Sequence, residues 1–178
     1  MLDKSETRLV KAAVGGDIES FGKLCRRYYP AMVAVGYSIL GDHQLAEDAA
    51  QESFARALIS VNNLRNKGKF ARWLAGICRN VAKDMVAIKA RQINTNNFLQ
   101  AVRNNNRDEN HRLIRRAIEQ LPVSAKELIV LRYYDSLSYE EISSVLGISK
   151  ATINGRLTRA KRKMANYLKR NSFPENQL

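Results

Sequence analysis

Cysteine and proline are scarce in this chain of 178 residues, and long hydrophobic runs are missing altogether. The two cysteines, Cys25 and Cys78, stand far apart and form no CxxC pair, so neither a disulfide framework nor a zinc site is signalled. We expect both to be reduced residues of the core. Because a membrane-length apolar run, a signal peptide and a stop-transfer pattern are all lacking, we expect a cytoplasmic protein with no membrane insertion.

The sequence also lacks the alternation of polar and apolar residues that marks β-strands. Apolar residues recur instead at helical spacing, which predicts an all-α fold. The predicted helices run over about 6–15, 18–40, 44–60, 70–89, 111–120 and 124–134, and two more follow.

Apolar residues thin out between residues 91 and 110, where asparagine is abundant and no helical stripe persists. This segment is predicted to be a flexible linker. It divides the chain into two small helical domains, residues 1–90 and 111–178, each long enough for a small core.

Acidic residues are the minority, because 17 Asp and Glu stand against 30 Lys and Arg, for a formal net charge of +13. The part of the chain from residue 111 onward is the most basic, with 13 Lys and Arg against 6 Asp and Glu. Such a charge predicts a polyanionic partner. Nucleic acid fits better than a membrane surface, since no apolar anchor accompanies the charge.

The segment 138–163 predicts two short helices around a tight turn. Ile142 and Val145 share an apolar face in the first helix, Gly147 suits a turn of positive φ, and Ser149 suits the N-cap of the second helix. Between residues 150 and 163 there are six Lys and Arg and no Asp or Glu. A solvated basic helix is the alternative, but the cap, the turn glycine and the apolar stripe together favour a DNA-binding helix-turn-helix.

The segment 40–58 concentrates acidic residues in an otherwise basic chain. Glu47, Asp48 and Glu52 share a broad helix surface, while Phe54 can face inward. A solvated face, a docking surface for a basic protein and a paired-carboxylate metal or acid-base site are the three interpretations. The last is disfavoured because no His, further acidic cluster or nucleophile accompanies the carboxylates. The residues alone leave the first two open.

Aromatic and basic residues are interleaved between residues 61 and 89. A polar loop precedes Phe70 and Trp73, and it contains Asn62, Asn63, Arg65, Asn66, Lys67 and Lys69, with Arg72, Arg79, Asn80 and Lys83 nearby on the next predicted helix. Such a surface is suited to single-stranded nucleic acid, because bases stack on aromatic rings while Lys and Arg side chains contact the phosphates. Trp73 also shares an apolar face with Leu74, which favours a core role for its ring. The loop and Asn80 are therefore the better candidates.

The chain resembles the extracytoplasmic-function sigma factors of bacterial RNA polymerase over about residues 5–168. Three stretches carry the resemblance in order: DHQLAEDAAQESFARAL, KFARWLAGICRNVAKD and LPVSAKELIVLRYYDSLSYEEISSVLGISKATINGRLTRAKRKM. LuxR-type regulators share a similar helix-turn-helix, so the order of the three stretches matters more than any one. The resemblance implies two helical domains. The first would bind the clamp helices of the largest polymerase subunit and open the -10 element, and the second would bind the duplex -35 element and the flap of the second-largest subunit.

The resemblance also implies roles for individual residues. Core polymerase would be bound through Asp48, Gln51, Glu52 and Phe54. The -10 strand would be contacted by Asn62, Asn63, Arg65, Lys67, Lys69, Asn80 and Lys83, with a flipped base held by the loop 61–69. The -35 duplex would be contacted by Lys150, Thr152, Asn154, Arg156, Arg159 and Lys163. An anti-sigma factor is an implied partner, and no metal or cofactor is implied.

Three departures from the family pattern stand out. Gly155 occupies a place where Ser is common in the family, the linker is Asn-rich and slightly basic rather than acidic, and the basic run around Lys89 and Arg91 matches only loosely. The expected function is a non-enzymatic promoter-specificity subunit for a stress or envelope regulon. The alternatives are a free-standing helix-turn-helix regulator and a metal-dependent nuclease that uses Glu47, Asp48 and Glu52.

Overall fold

The computed structural model describes residues 4–95, 109–134 and 136–171. Within these ranges the chain is helical and contains no strand, which confirms the predicted all-α class. The helices are α1 (Lys4–Val14), α2 (Ile18–Leu40), α3 (His43–Ser60), α4 (Phe70–Thr95), α5 (Glu109–Glu119), α6 (Val123–Ile129), α7 (Tyr139–Leu146) and α8 (Lys150–Arg170). Helix α6 continues directly into a π-type turn over Val130–Tyr134.

Short polar side chains set the boundary between α2 and α3. Gly41 ends α2 in the left-handed conformation, with φ of 66°, and its N–H donates to the Tyr37 carbonyl. Asp42 then caps α3, because its side chain accepts a hydrogen bond from the N–H of Leu45 at 3.1 Å. The predicted break at Gly41 and Asp42 is therefore confirmed, and the two helices pack antiparallel against one another.

The N-terminal helices pack around α2. Leu24, Met32, Phe70 and Leu74 are fully buried between α2 and α4. Gly36 lies so close to α3 that a Cβ atom there would stand 3.1 Å from the Ala46 carbonyl oxygen. The small residues of α3 thus let the backbones of α2 and α3 approach closely. The outer face of α3 takes no part in this contact.

The buried carboxylate of Glu6 holds α1 against the other N-terminal helices. Glu6 is 3% exposed, and it accepts a hydrogen bond from the Tyr28 hydroxyl on α2. The Arg27 guanidinium lies 3.4 Å from the same carboxylate. Burial and the neighbouring Glu6 raise the pKa of Tyr28, so the phenol stays protonated and keeps donating at any physiological pH.

Leu128, Leu131, Ile142, Ile153 and Leu157 are the largest fully buried side chains of the C-terminal helices. Their group packs on the N-terminal one, because α6 and the π-type turn contact α2, and α7 contacts α4. Buried residues of the two groups form one continuous apolar cluster. The two predicted helical units are thus present and in contact.

The predicted linker is shorter than expected at both ends. Helix α4 runs to Thr95, well beyond the predicted helix end at Lys89, and α5 begins at Glu109, just before the predicted start at His111. The remainder of the predicted linker lies outside the described residues. Cys78 is buried and donates its S–H to the Met32 carbonyl at 3.3 Å, and Cys25 is half-buried; neither thiol is in a disulfide.

Leu74→Ala should lower the free energy of unfolding by about 2 to 5 kcal/mol, because it opens a cavity in a fully buried site. Urea denaturation followed by circular dichroism measures this. Ile18→Ala is the control, since Ile18 is 73% exposed and its truncation should change stability by no more than about 0.5 kcal/mol. Equal effects of the two substitutions would contradict the assigned core.

Candidate nucleic-acid and docking surfaces

A groove of about 710 Å³ lies between the loop 63–69 and the first turns of α4. Three cations line it, namely Arg65, Lys69 and Arg72, and no acidic residue does. The rest of the lining consists of Asn63, Asn66 and Asn80 with their amides, and of Leu64, Trp73, Gly76 and Ile77. A groove lined by cations, amides and an indole is suited to single-stranded nucleic acid.

The loop beside the groove is built from two short 3₁₀ turns, over Val61–Asn63 and Lys67–Lys69. Val61 and Leu64 are buried and anchor it from below. The Asn66 side chain accepts a hydrogen bond from the N–H of Gly68 at 3.0 Å and caps the second turn. The loop is therefore shaped by its own sequence, and its polar side chains are left facing outward.

The structure brings together some of the predicted -10 residues and leaves others apart. Asn63, Arg65, Lys69 and Asn80 line the groove, whereas Asn62, Lys67 and Lys83 do not. Arg72, noted near the predicted contacts but not among them, is part of the lining. Its signal was helical spacing, because residues 72, 73, 76 and 80 fall on one face of α4.

Trp73 combines the two roles that the sequence set against each other. Its ring packs on Phe70, with the centroids 5.8 Å apart, and it contacts the main apolar cluster. Trp73 is half-buried and also lines the groove. The indole therefore packs on the core and is at the same time available to a stacked base.

The predicted helix-turn-helix is present as α7 and α8. Ser138 and Glu141 form a reciprocal capping box at the start of α7, and Gly147 ends α7 with φ of 67°. Ser149 caps α8 by accepting a hydrogen bond from the N–H of Thr152 at 3.1 Å. These caps fix where α8 begins and therefore which side chains lie on its outer face.

The six predicted -35 residues occupy three kinds of position on α8. Asn154 and Arg159 are exposed, and Thr152 and Arg156 are half-buried on the flank. The Lys150 ammonium is paired with Glu140 of α7. Lys163 donates to the Gln120 carbonyl at 2.8 Å, so its ammonium points toward the end of α5. The central four therefore form the surface most available to a groove of DNA.

The acidic residues of α3 lie on its outer face. Asp48, Gln51 and Glu52 are exposed, and Glu52 pairs with Arg56 at 2.8 Å. Arg56 in turn lies 3.3 Å from Asp84 of α4, and these two carboxylates raise the pKa of its guanidinium. Among the described residues, no group of three or more acidic, His or Cys side chains is arranged to hold a metal.

Two further features of α3 concern apolar side chains, and only the first of them was not predicted from sequence. Leu58 and Ile59 are exposed near the end of the helix, Ile59 by 84%, so the acidic face continues into an apolar one. Phe54 lies on the other side, half-buried, with its ring 6.5 Å from that of Tyr29. The structure thus places Phe54 against α2 rather than beside Asp48 and Glu52.

Comparisons with known proteins bear on both halves of the chain. Residues 24–92 match the family described as sigma-70 region 2, and residues 111–164 match sigma-70, region 4. The chain is 27% identical over 178 residues to the RNA polymerase sigma-H factor of Pseudomonas aeruginosa, covering 90% of this chain and 92% of that one. It is 29% identical over 177 residues to the ECF RNA polymerase sigma-E factor of Escherichia coli K12, covering 89% and 91%.

Two solved structures are similar in fold. One is CnrH in complex with the cytosolic domain of CnrY, with a TM-score of 0.61, 21% identity, and coverage of 95% of this chain and 100% of that one. The other is the sigma factor RpoE of Bartonella quintana in complex with the anti-sigma factor NepR, with a TM-score of 0.57, 22% identity, and coverage of 85% and 98%. No helix in the described part of the chain is long and apolar enough to cross a membrane.

Trp73 is the only tryptophan and offers a direct probe of the groove. A single-stranded DNA of about 12 nucleotides should quench its fluorescence, because a base that enters the groove can stack on the indole ring. Titration at low salt measures this, and the duplex of the same sequence is the control. Equal quenching by duplex and single strand would show that the groove does not hold unpaired bases.

Proposed function

The chain belongs to the sigma-70 family of RNA polymerase sigma factors, in its extracytoplasmic-function group, and from this we propose that it directs core polymerase to promoters through two DNA surfaces. One observation carries the proposal, namely that a groove suited to single strands and a capped basic helix-turn-helix occur in the same chain. A free-standing regulator needs only the second of these. An initiation factor needs both, because it reads duplex DNA and also holds a separated strand.

The groove on α4 is proposed to receive the -10 strand. Asn63 and Asn80 offer amide donors and acceptors to base edges, while Arg65, Lys69 and Arg72 meet phosphates. Extracting a base from the duplex costs a few kcal/mol, and stacking on an aromatic ring returns about 1 to 3 kcal/mol per base. Binding the extracted base would therefore supply both the opening of the duplex and its sequence preference, without ATP.

Helix α8 is proposed to read the -35 element in the major groove. Its capped start presents Thr152, Asn154, Arg156 and Arg159 within about two turns, around the buried Ile153 and Leu157. Gly155 is exposed between Asn154 and Arg156, so the backbone of α8 can approach the DNA closely there. Arginine pairs bidentately with guanine, which makes Arg156 and Arg159 the candidates for base recognition.

Polymerase docking is assigned to the outer face of α3. Asp48, Gln51 and Glu52 offer an acidic surface, and Leu58 and Ile59 add apolar area that the fold itself leaves uncovered. The proposed partner is the pair of clamp helices in the largest polymerase subunit, with the C-terminal helices contacting the flap of the second-largest subunit. A mixed acidic and apolar surface gains association rate from its charge and affinity from its apolar part.

The remaining assignments follow from the family. Residues 1–90 and 111–178 are proposed as the two functional units, with 91–110 between them. Sigma factors are non-enzymatic initiation factors, and we propose the same here, with action in the cytoplasm where polymerase and promoters meet. The relatives of known structure were solved with CnrY and with the anti-sigma factor NepR, which supports an anti-sigma partner for this chain as well. A stress or envelope regulon remains a prediction.

Transcription in vitro tests the proposal. Purified protein is mixed with sigma-free core polymerase and genomic DNA, and the 5′ ends of the transcripts are sequenced. Defined starts that share two upstream elements, absent when the protein is omitted, are the expected result. Specific duplex binding without polymerase, and no transcript with it, would instead identify a free-standing regulator.

Asp48→Asn should weaken binding to core polymerase by about 1 to 2 kcal/mol, about tenfold, because it removes an exposed charge from the docking face. Fluorescence anisotropy with labelled core polymerase measures the affinity. Glu19→Gln is the matched control, since Glu19 is an exposed carboxylate of α2 paired with Lys23. Equal weakening by both substitutions would indicate a general charge effect and contradict the assignment.

Arg156→Ala should reduce recognition of the -35 element by about 1 to 3 kcal/mol and leave binding to core polymerase unchanged, because one bidentate base contact is lost. Transcription from promoters with intact and scrambled -35 elements measures this. The variant should lose little further activity on the scrambled promoter. A loss of equal size on both promoters would mean that Arg156 does not read the element.

A further inference from the structure

Helix α4 carries a basic stripe that extends beyond the groove. Arg72, Arg79 and Lys83 are separated by two helical turns and then one, so they share a face of α4. Arg72 lines the groove at the upper end of this stripe. Arg79 comes one turn before Lys83 and directly before Asn80, so it lies where the backbone of a strand leaving the groove would continue.

Arg79 is occupied by the C-terminal half of the chain. Its Nε and Nη2 atoms lie 2.9 and 2.8 Å from the same Glu127 oxygen, Oε1. Glu127 belongs to α6 and its side chain is only 10% exposed, while that of Arg79 is 27% exposed. A phosphate also offers anionic oxygens to the N–H donors of an arginine, so it can replace the Glu127 carboxylate as the partner of Arg79.

Further contacts hold the N-terminal and C-terminal helices in the same relative position. The side chain of Arg72 lies against the turn of the helix-turn-helix, where a Cβ atom at Gly147 would stand 2.5 Å from its Cδ. Lys69 and Arg72 also line a cleft of about 700 Å³ whose other wall is α7. Arg115 of α5 donates to the Gly41 carbonyl at 2.6 Å, and the rings of Tyr37 and Tyr134 stack with centroids 5.9 Å apart.

The ion pair between Arg79 and Glu127 is exchangeable. Burial raises the pKa of Glu127, although Arg79 draws it down, so the loss of hydration outweighs the attraction. A buried pair of this kind contributes little net stability, whereas removing one partner leaves an uncompensated charge. The contact can therefore be exchanged for another anion without a large loss.

We propose that Glu127 acts as an internal substitute for a DNA phosphate, holding Arg79 and closing the C-terminal half over the basic stripe of α4 until promoter DNA displaces it. Arg79 is then a further contact to the backbone of the separated strand. This inference rests on the proposed function, because it takes the -10 strand as the ligand of α4. In the closed chain, Glu127 of α6 holds Arg79 and the turn after α7 lies against Arg72, so two of the cations on this stripe are engaged by the C-terminal half.

Affinity for single-stranded DNA tests the exchange directly. The probe is a fluorescein-labelled DNA of about 20 nucleotides and mixed sequence, bound to the full chain without polymerase and followed by anisotropy. Glu127→Gln should bind it about fivefold or more tightly, because the closed state then leaves Arg79 without a counter-charge. Glu119→Gln is the control. It makes the same change of charge on α5, at an exposed carboxylate 3.8 Å from Arg115, and it should alter affinity by less than about twofold.

Arg79→Ala distinguishes the opening of the closed arrangement from the contact between Arg79 and the DNA. It removes the ion pair and also the proposed phosphate ligand, so it should bind the probe no more tightly than the unmodified chain. The double variant Glu127→Gln with Arg79→Ala should match Arg79→Ala within about twofold, because the two residues act through each other. Glu127→Gln binding no more tightly than Glu119→Gln, or tight binding by the double variant, overturns the proposal.

If Glu127→Gln does not fold, which a loss of its helical circular dichroism signal would show, a measurement on the unmodified chain tests the proposal instead. Neutron scattering, at the D₂O content that matches DNA, records the protein alone while the probe is added. The radius of gyration should rise at saturation, because the bound strand and the closed arrangement exclude each other. Saturation with an unchanged radius overturns the proposal.

The two proposals fail in different ways. If the chain starts transcripts at defined promoters while Glu127→Gln gains no affinity, the internal substitute is wrong and the initiation activity stands. If the chain opens on DNA and Glu127→Gln binds tightly, but no transcript starts with core polymerase, the closed arrangement stands and the proposed function fails.

Discussion

Helix α4 has to bury one face and expose another along the same few turns, and the rest of the structure depends on this constraint. Phe70, Leu74, Cys78 and Val81 are fully buried or nearly so, and they fix the helix against α2 and α3. A helix held so firmly on one side presents its other side chains in a rigid row. The side chains that line the groove, Trp73 among them, are held in fixed positions because the core behind them is close-packed.

Charge is distributed so that a strongly basic chain still offers different surfaces to different partners. The acidic side chains of α3 gather on a face that the core does not use, and Arg56 links Glu52 to Asp84 across two helices. The basic side chains concentrate on α4 and α8. Where the halves meet, Glu127 places a buried carboxylate beside Arg79, and its cost of burial keeps the contact exchangeable.

Local signals in the sequence predicted a large part of the fold. Gly41, Asp42, Gly147 and Ser149 end or cap helices through interactions that span no more than four residues, and so their positions could be read directly. The extension of α4 to Thr95 was missed because an Asn-rich composition resembles a loop even where a long helix continues. The apolar pattern allowed Phe54 to face inward, whereas the family resemblance assigned it to polymerase binding; in the structure it is half-buried beside Tyr29.

The sequence by itself determined the all-α class, the helix-turn-helix, the acidic and basic surfaces and the resemblance to a family, since each depends on residue type and short spacing. The tertiary structure decided which of those residues meet. It selected Arg72 and Trp73 for the groove, turned Lys163 toward α5, and joined Arg79 to Glu127 across 48 residues. The physical reason is that contacts between distant segments depend on how helices pack, and helical periodicity carries no information about the partner that a given face will meet.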